Sequence, residues 1–116
     1  MRKEQYIYKK FFKLRYKLRF VQHFKQEYVK EYLAMEKDFE KLEAEAPNFP
    51  KGRRYLPVTG REASNTLIWE CDFDSLEAAQ QALSTLMNDD RHEALFNQQS
   101  QYILKTYTEI YKPFDV

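Results

Sequence analysis

Between residues 65 and 86 the chain reads NTLIWECDFDSLEAAQQALSTL, and its apolar period changes at Phe73. Before that point Leu67, Trp69, Cys71 and Phe73 alternate as a strand requires. After it Leu76, Ala79, Leu83 and Leu86 return every three or four residues, as on a helix. A strand therefore runs directly into a helix. Upstream, residues 6–14 are β-favouring, with Tyr6, Tyr8, Phe12 and Leu14 on one face and Ile7 and Phe11 on the other, which predicts a first strand. From about residue 17 the apolar positions become Val21, Phe24, Tyr28, Tyr32, Met35, Phe39, Leu42 and Ala46, which predicts one long helix. APNFPKG stops it, because Pro47, Pro50 and Gly52 do not continue a helix.

RRYLPVTG then predicts a short strand, placed at a sheet edge because Pro57 removes a ladder donor. A polar loop over residues 60–65 returns the chain into the apolar strand at 66–73, the expected centre of the sheet. Asp74-Ser75-Leu76-Glu77 has the spacing of a capped helix start, with Asp74 as the cap, and the device recurs at Asp90-Arg91-His92-Glu93. These place a second helix up to about residue 87 and a short third one over 92–96. QYILKTYTEIYK supplies a final strand ended by Pro113. The order is β-α-β-β-α-β, an α+β, ferredoxin-like arrangement spanning residues 1–116 as a single domain. Right-handed crossovers put the first and third strands in the middle of a four-stranded antiparallel sheet, with two main helices on one face. The other face is left bare and carries large residues such as Ile68, Ile103, Tyr107 and Tyr111. A bare face of that kind predicts a homodimer, sheet against sheet about a two-fold axis.

Composition narrows the function classes. With 116 residues and 32% of them charged, the chain has one modest core and an ordinary water-facing surface. No apolar run approaches the roughly 20 residues of a membrane span, so no membrane partner is expected. The single Cys71 excludes an internal disulfide and points to a reducing, cytoplasmic setting. The net charge of +1 hides an asymmetry between a basic stretch over residues 1–30 and an acidic one over 31–45, read as faces that balance each other. YIYKKFFKLRYKLRF interleaves aromatics with basic residues but lacks the glycine-bearing paired aromatics of an RNA-binding sheet, and no nucleic-acid partner is expected. Gly52 and Gly60 are the only glycines and neither opens a helix, so no phosphate-cradling loop exists. His23 and His92 are the only imidazoles. Glu27, Asp90 and Glu93 near them suit helix capping and solvation better than metal ligation, so no metal and no cofactor is expected.

YIYKKFFKLRYKL before the long helix, TLIWECDFDSLEAAQQAL, NDDRHEALF and the closing TYTEIYK at 106–112 together resemble the dimeric α+β barrel superfamily. That superfamily includes NIPSNAP-type proteins and the antibiotic-biosynthesis and heme-degrading monooxygenases; the pattern is closest to the NIPSNAP-like branch. Heme-degrading members use a Trp in the third strand, a His on the following helical segment and an Asn in the first strand. The resemblance puts Trp69 in the first role and His92 roughly in the second. The Asn has no counterpart, since Tyr8, Lys9 and Lys10 stand in the expected first strand, which speaks against heme degradation.

The candidate chemistry is sparse. Trp69 either packs under the helices with its indole N–H on an acceptor or walls a pocket. Trp69, Cys71, His92, Phe24 and Tyr28 are the candidate lining for a small apolar or aromatic ligand between sheet and helices. His92, Tyr107 and Glu70 are the side chains able to move a proton, none with a sequence-encoded partner. Glu70 and Glu109 on strands are expected to join an ion-pair network with Lys9, Lys105, Arg53 or tyrosine hydroxyls rather than to act as paired acids. The function expected is that of a ligand-binding protein without a catalytic set. The alternatives are a cofactor-free monooxygenase and a purely structural interaction module.

Overall fold

A computed structural model describes residues 15–115. The expected strand at 6–14, with Tyr8, Lys9 and Lys10, lies outside the described residues. Seven main elements follow in order: β1 (Tyr16–Phe24), α1 (Val29–Glu45), β2 (Arg53–Tyr55), β3 (Thr66–Phe73), α2 (Leu76–Met87), α3 (Asp90–Gln99) and β4 (Ile103–Tyr111). The sheet order is β2-β3-β1-β4, all antiparallel, so β1 and β3 are central and β2 and β4 are edges. This is the ferredoxin-like α+β fold expected of the chain, with the helices on one face.

One element differs in kind. Residues 16–24 form the central strand β1, where the apolar spacing predicts the first turns of the long helix. Its buried positions are Leu18, Val21 and Phe24, spaced by three. Leu18 and Phe24 face the helices, while Val21 faces the opposite side between Ile68 and Tyr107 of the flanking strands. Buried residues on both faces of the strand give a spacing of three that imitates a helix. The strand ends where Phe24 N–H donates to the Asn65 carbonyl at 2.9 Å and Asn65 Nδ2 donates back to the Phe24 carbonyl at 2.7 Å. A single tight turn over Gln26–Tyr28 leads into α1.

The other elements start and stop close to expectation. β2 halts before Pro57 on the sheet edge. The cap of α2 is Ser75, whose hydroxyl accepts from Ala78 N–H at 3.1 Å, one residue later than the expected Asp74. Asp89 caps α3 by accepting from the N–H groups of Arg91 and His92, so this helix starts earlier than 92 and runs beyond 96, to Gln99. Direct cross-strand partners share a face. Leu18, Phe20, Gln22, Leu67, Trp69, Cys71 and Arg54 therefore face the helices, and Lys17, Arg19, His23, Glu70, Asp72, Tyr107 and Glu109 face away from them. Ile103, expected on the bare face, instead packs on the core cluster of Phe24, Tyr32 and Leu67, because the β1–β4 register shifts at His23/Phe24. No helix among the described residues is long and apolar enough to cross a membrane.

Candidate functional site

The space between the sheet and its helices is not filled. A cavity of about 220 Å³ lies there, walled by Phe20, Leu67 and Trp69 from the sheet, Phe39 and Leu42 from α1, Phe49 beyond it, Leu86 from α2 and Phe96 from α3. A cavity of roughly 150 Å³ lined by aliphatic and aromatic side chains holds benzene, so this one has room for a ring with a substituent.

Trp69 is the best-anchored wall. Its indole stacks on Phe20 with ring centroids 5.0 Å apart. Its Nε1–H donates to Glu43 Oε1 at 2.8 Å. Behind it the backbone of Gly52 lies so close that an added Cβ would come within 1.9 Å of indole Cε2, so only glycine fits there. The two readings of Trp69 hold together: it is 5% exposed and part of the core, and it also faces the cavity.

One side of the cavity is charged. Arg54 Nε donates to Glu36 Oε2 at 2.7 Å, and its Nη2 donates to Glu43 Oε2. Gln99 Nε2 donates to Glu36 Oε1 at 2.8 Å. With Trp69 on Glu43 Oε1, each of the four carboxylate oxygens receives one donor. Burial works against the Arg54 charge, but Glu36 and Glu43 outweigh it and the guanidinium is held protonated, its pKa raised. His92 joins the lining from the first turn of α3, its ring edge-on to Phe39 at 5.2 Å. Burial pushes its pKa below the ordinary histidine value, against a smaller opposing pull from Asp89 and Glu43, so near neutral pH it is an uncharged imidazole. Tyr32, on the buried face of α1, donates its hydroxyl to Gln22 Oε1 and has its pKa raised by burial and by Glu36.

Of the residues proposed from sequence, Trp69 and His92 line this cavity. Cys71 shares the face of Trp69 but borders a separate depression of about 170 Å³ with Lys51, Arg53 and Asp72. Its thiol is pushed up by burial and by Asp72, which keeps it protonated. Phe24 stacks on Tyr32 in the neighbouring core cluster at 4.5 Å. Tyr28 is exposed and leans on Tyr102 at 5.3 Å. Glu70 and Tyr107 lie across the sheet from the cavity. Glu70 pairs with Lys17 at 3.3 Å and Arg19 at 3.1 Å, while Tyr107 Oη donates to Glu62 Oε1 at 3.0 Å, beside a His23–Glu62 contact of 3.0 Å. The three proton-moving candidates are thus divided between two sides of the sheet.

The ion-pair network on the open face takes partners other than those expected. Lys17 and Arg19 serve Glu70, and Arg19 reaches Glu109 at 3.9 Å. Lys105 lies over the Tyr107 ring and Lys9 is outside the described residues. The reason is the misplaced strand, since residues 17 and 19 alternate onto this face only when 16–24 is β1. Sequence reading missed Glu36, Glu43, Arg54 and Gln99 in the cavity. The available signal was the seven-residue spacing of Glu36 and Glu43, which puts two acids on the same stripe as Tyr32 and Phe39. No group of three metal-ligating side chains that could hold an ion occurs among the described residues.

No protein-family model matches the sequence, and no curated protein matches it significantly. Solved structures do. A NIPSNAP family protein from Agrobacterium tumefaciens superimposes with a TM-score of 0.69 at 16% identity, over 88% of each chain. An uncharacterized NIPSNAP domain protein from Burkholderia xenovorans gives 0.67 at 15% identity, over 84% of this chain and 93% of that one. A putative antibiotic biosynthesis monooxygenase from Nitrosomonas europaea gives 0.63 at 7% identity, over 90% and 95%. At such identities the likeness is one of fold: the chain has the ferredoxin-like architecture of the NIPSNAP and antibiotic-biosynthesis-monooxygenase proteins.

Proposed function

We propose that this protein binds a small, largely apolar or aromatic ligand in the cavity between sheet and helices. The observation that carries the reading is the cavity itself, a ring-sized space with an aromatic wall and one ordered polar side. Ligand pockets combine such a wall with a few fixed polar groups. Isothermal titration with 2-naphthol tests it. Saturable binding is expected, reduced at least about tenfold in a folded Leu86→Phe variant whose added ring occupies the space. Equal heats in wild type and variant would place the ligand elsewhere.

A cofactor-free monooxygenase is the second reading, favoured by one observation: an uncharged imidazole, His92, faces the cavity and is able to take a proton. Tyr107 and Glu70 do not assist it, because they lie beyond the sheet, and the carboxylates of Glu36 and Glu43 are engaged by Arg54, Gln99 and Trp69. Oxygen uptake with a hydroquinone, falling by about a hundredfold or more in His92→Ala, would establish it. The expected result is no uptake.

The open sheet face supports a homodimer in which two sheets stack. It presents Ile68, Tyr107 and Tyr111 among paired charges, with no element of the described residues over it. Cys71, the only cysteine, suits a reducing cytoplasm.

A further inference from the structure

The charged side of the cavity does not balance. Two carboxylates, Glu36 and Glu43, share one guanidinium, Arg54, and among the described lining residues the only other titratable group is His92, which burial keeps neutral. Just outside the lining, Lys51 places its ammonium on the backbone carbonyls of Glu43 and Ala46, and Asp89, which caps α3, pairs with Arg91 at 3.0 Å. Within the lining itself, the carboxylates outnumber the guanidinium by one.

A second, independent feature has the same polarity. Gln99 is fully buried and lines the cavity. Its amide nitrogen is committed to Glu36 Oε1, which fixes the orientation of the group, since the reverse would set its oxygen against a carboxylate. Its Oε1 is then left buried with no hydrogen-bond partner among the described residues. A buried acceptor without a donor costs roughly 1–3 kcal/mol, and a ligand that supplies the donor recovers it. The remaining lining is largely aromatic, with Phe20, Phe39, Phe96 and Trp69, and aromatic faces attract cations.

From the surplus carboxylate and the unpartnered Gln99 oxygen in one aromatic cavity, we infer that the ligand is an aromatic or arylalkyl amine, bound with its cationic, hydrogen-donating head toward Glu36 and Gln99. This rests on the reading of the cavity as a ligand site and specifies the chemistry of the ligand. An aryl carboxylic acid would meet repulsion from Glu36 and Glu43 and add a second acceptor beside Gln99 Oε1.

Three probes of like shape decide it at about pH 7.5, where an imidazole of lowered pKa is neutral: 2-phenylethylamine, 2-phenylethanol and 3-phenylpropionate, each titrated into the full chain. The amine should bind at least about tenfold tighter than the carboxylate, with the alcohol between them. In Glu36→Gln, which removes the surplus charge, the amine-to-carboxylate ratio should fall to within about threefold. In Gln99→Met the amine and the alcohol should weaken together, by about five- to tenfold. Equal affinities for all three probes would overturn the amine inference and leave the cavity reading standing, and tighter carboxylate binding would do the same. No binding by any probe would remove both. A variant that fails to fold leaves the wild-type series to decide.

Discussion

Gly52 and Trp69 make one structural unit. The indole occupies the place where any side chain at residue 52 would begin, so Gly52→Ala should force the ring off Phe20 and off Glu43. A loss of about 1–3 kcal/mol is expected in urea denaturation, the usual cost of overpacking a core. Glu43 is the opposite case, a buried acid held by two donors from different strands. Glu43→Leu leaves the Arg54 guanidinium and the Trp69 N–H short of an acceptor, and should cost about 3–5 kcal/mol. His92 ties stability to pH. Its folded pKa lies below its unfolded one, so the unfolded chain binds the proton more readily. Stability is then fully present above the unfolded value of about 6.5 and is lost as pH falls from there through the folded value. The melting temperature should decline across that window in the wild type, and His92→Gln should flatten the decline.

At the scale of elements, the test is where helices begin. Ser75→Ala should cost about 1 kcal/mol, because its hydroxyl accepts from Ala78 N–H, while Asp74→Ala should cost little. Equal costs would return the cap to Asp74. β3 and α2 were legible from sequence because each repeats its apolar positions along the face toward the core, and the β2 edge because Pro57 follows it. β1 was not. Its buried positions Leu18, Val21 and Phe24 fall three apart on alternate faces, and that spacing reads as a helical stripe. Trp69 and His92 could be named as site residues because rare side chains stand out in a sequence. Glu36, Glu43, Arg54 and Gln99 could not, since a charged or amide side chain on a helix or an edge strand normally reads as solvent-facing. Only the fold brings residues 36, 43, 54 and 99 to one wall.

At the scale of the whole molecule, the sheet separates two environments. One face carries a cavity with a charged corner, and the other a network linking Lys17, Arg19, Glu70, Asp72 and Glu109. If the second face joins two copies, sedimentation at micromolar concentration should give twice the chain mass, and Tyr111→Lys, exposed on that face, should shift the protein toward monomers; a soluble wild-type monomer would speak against stacking. The cavity reading does not depend on that outcome. Trp69 is the chain's one tryptophan, so its indole N–H gives a single, isolated nitrogen–proton resonance at the cavity wall. Titrating the neutral probe 2-phenylethanol while following that resonance tests the central claim directly. The expected result is a saturable shift of the Trp69 indole signal together with the backbone amides of Phe20, Leu67 and Phe39. An indole signal unmoved at millimolar probe, or shifts confined to Glu70 and Tyr107 on the far face, would contradict it.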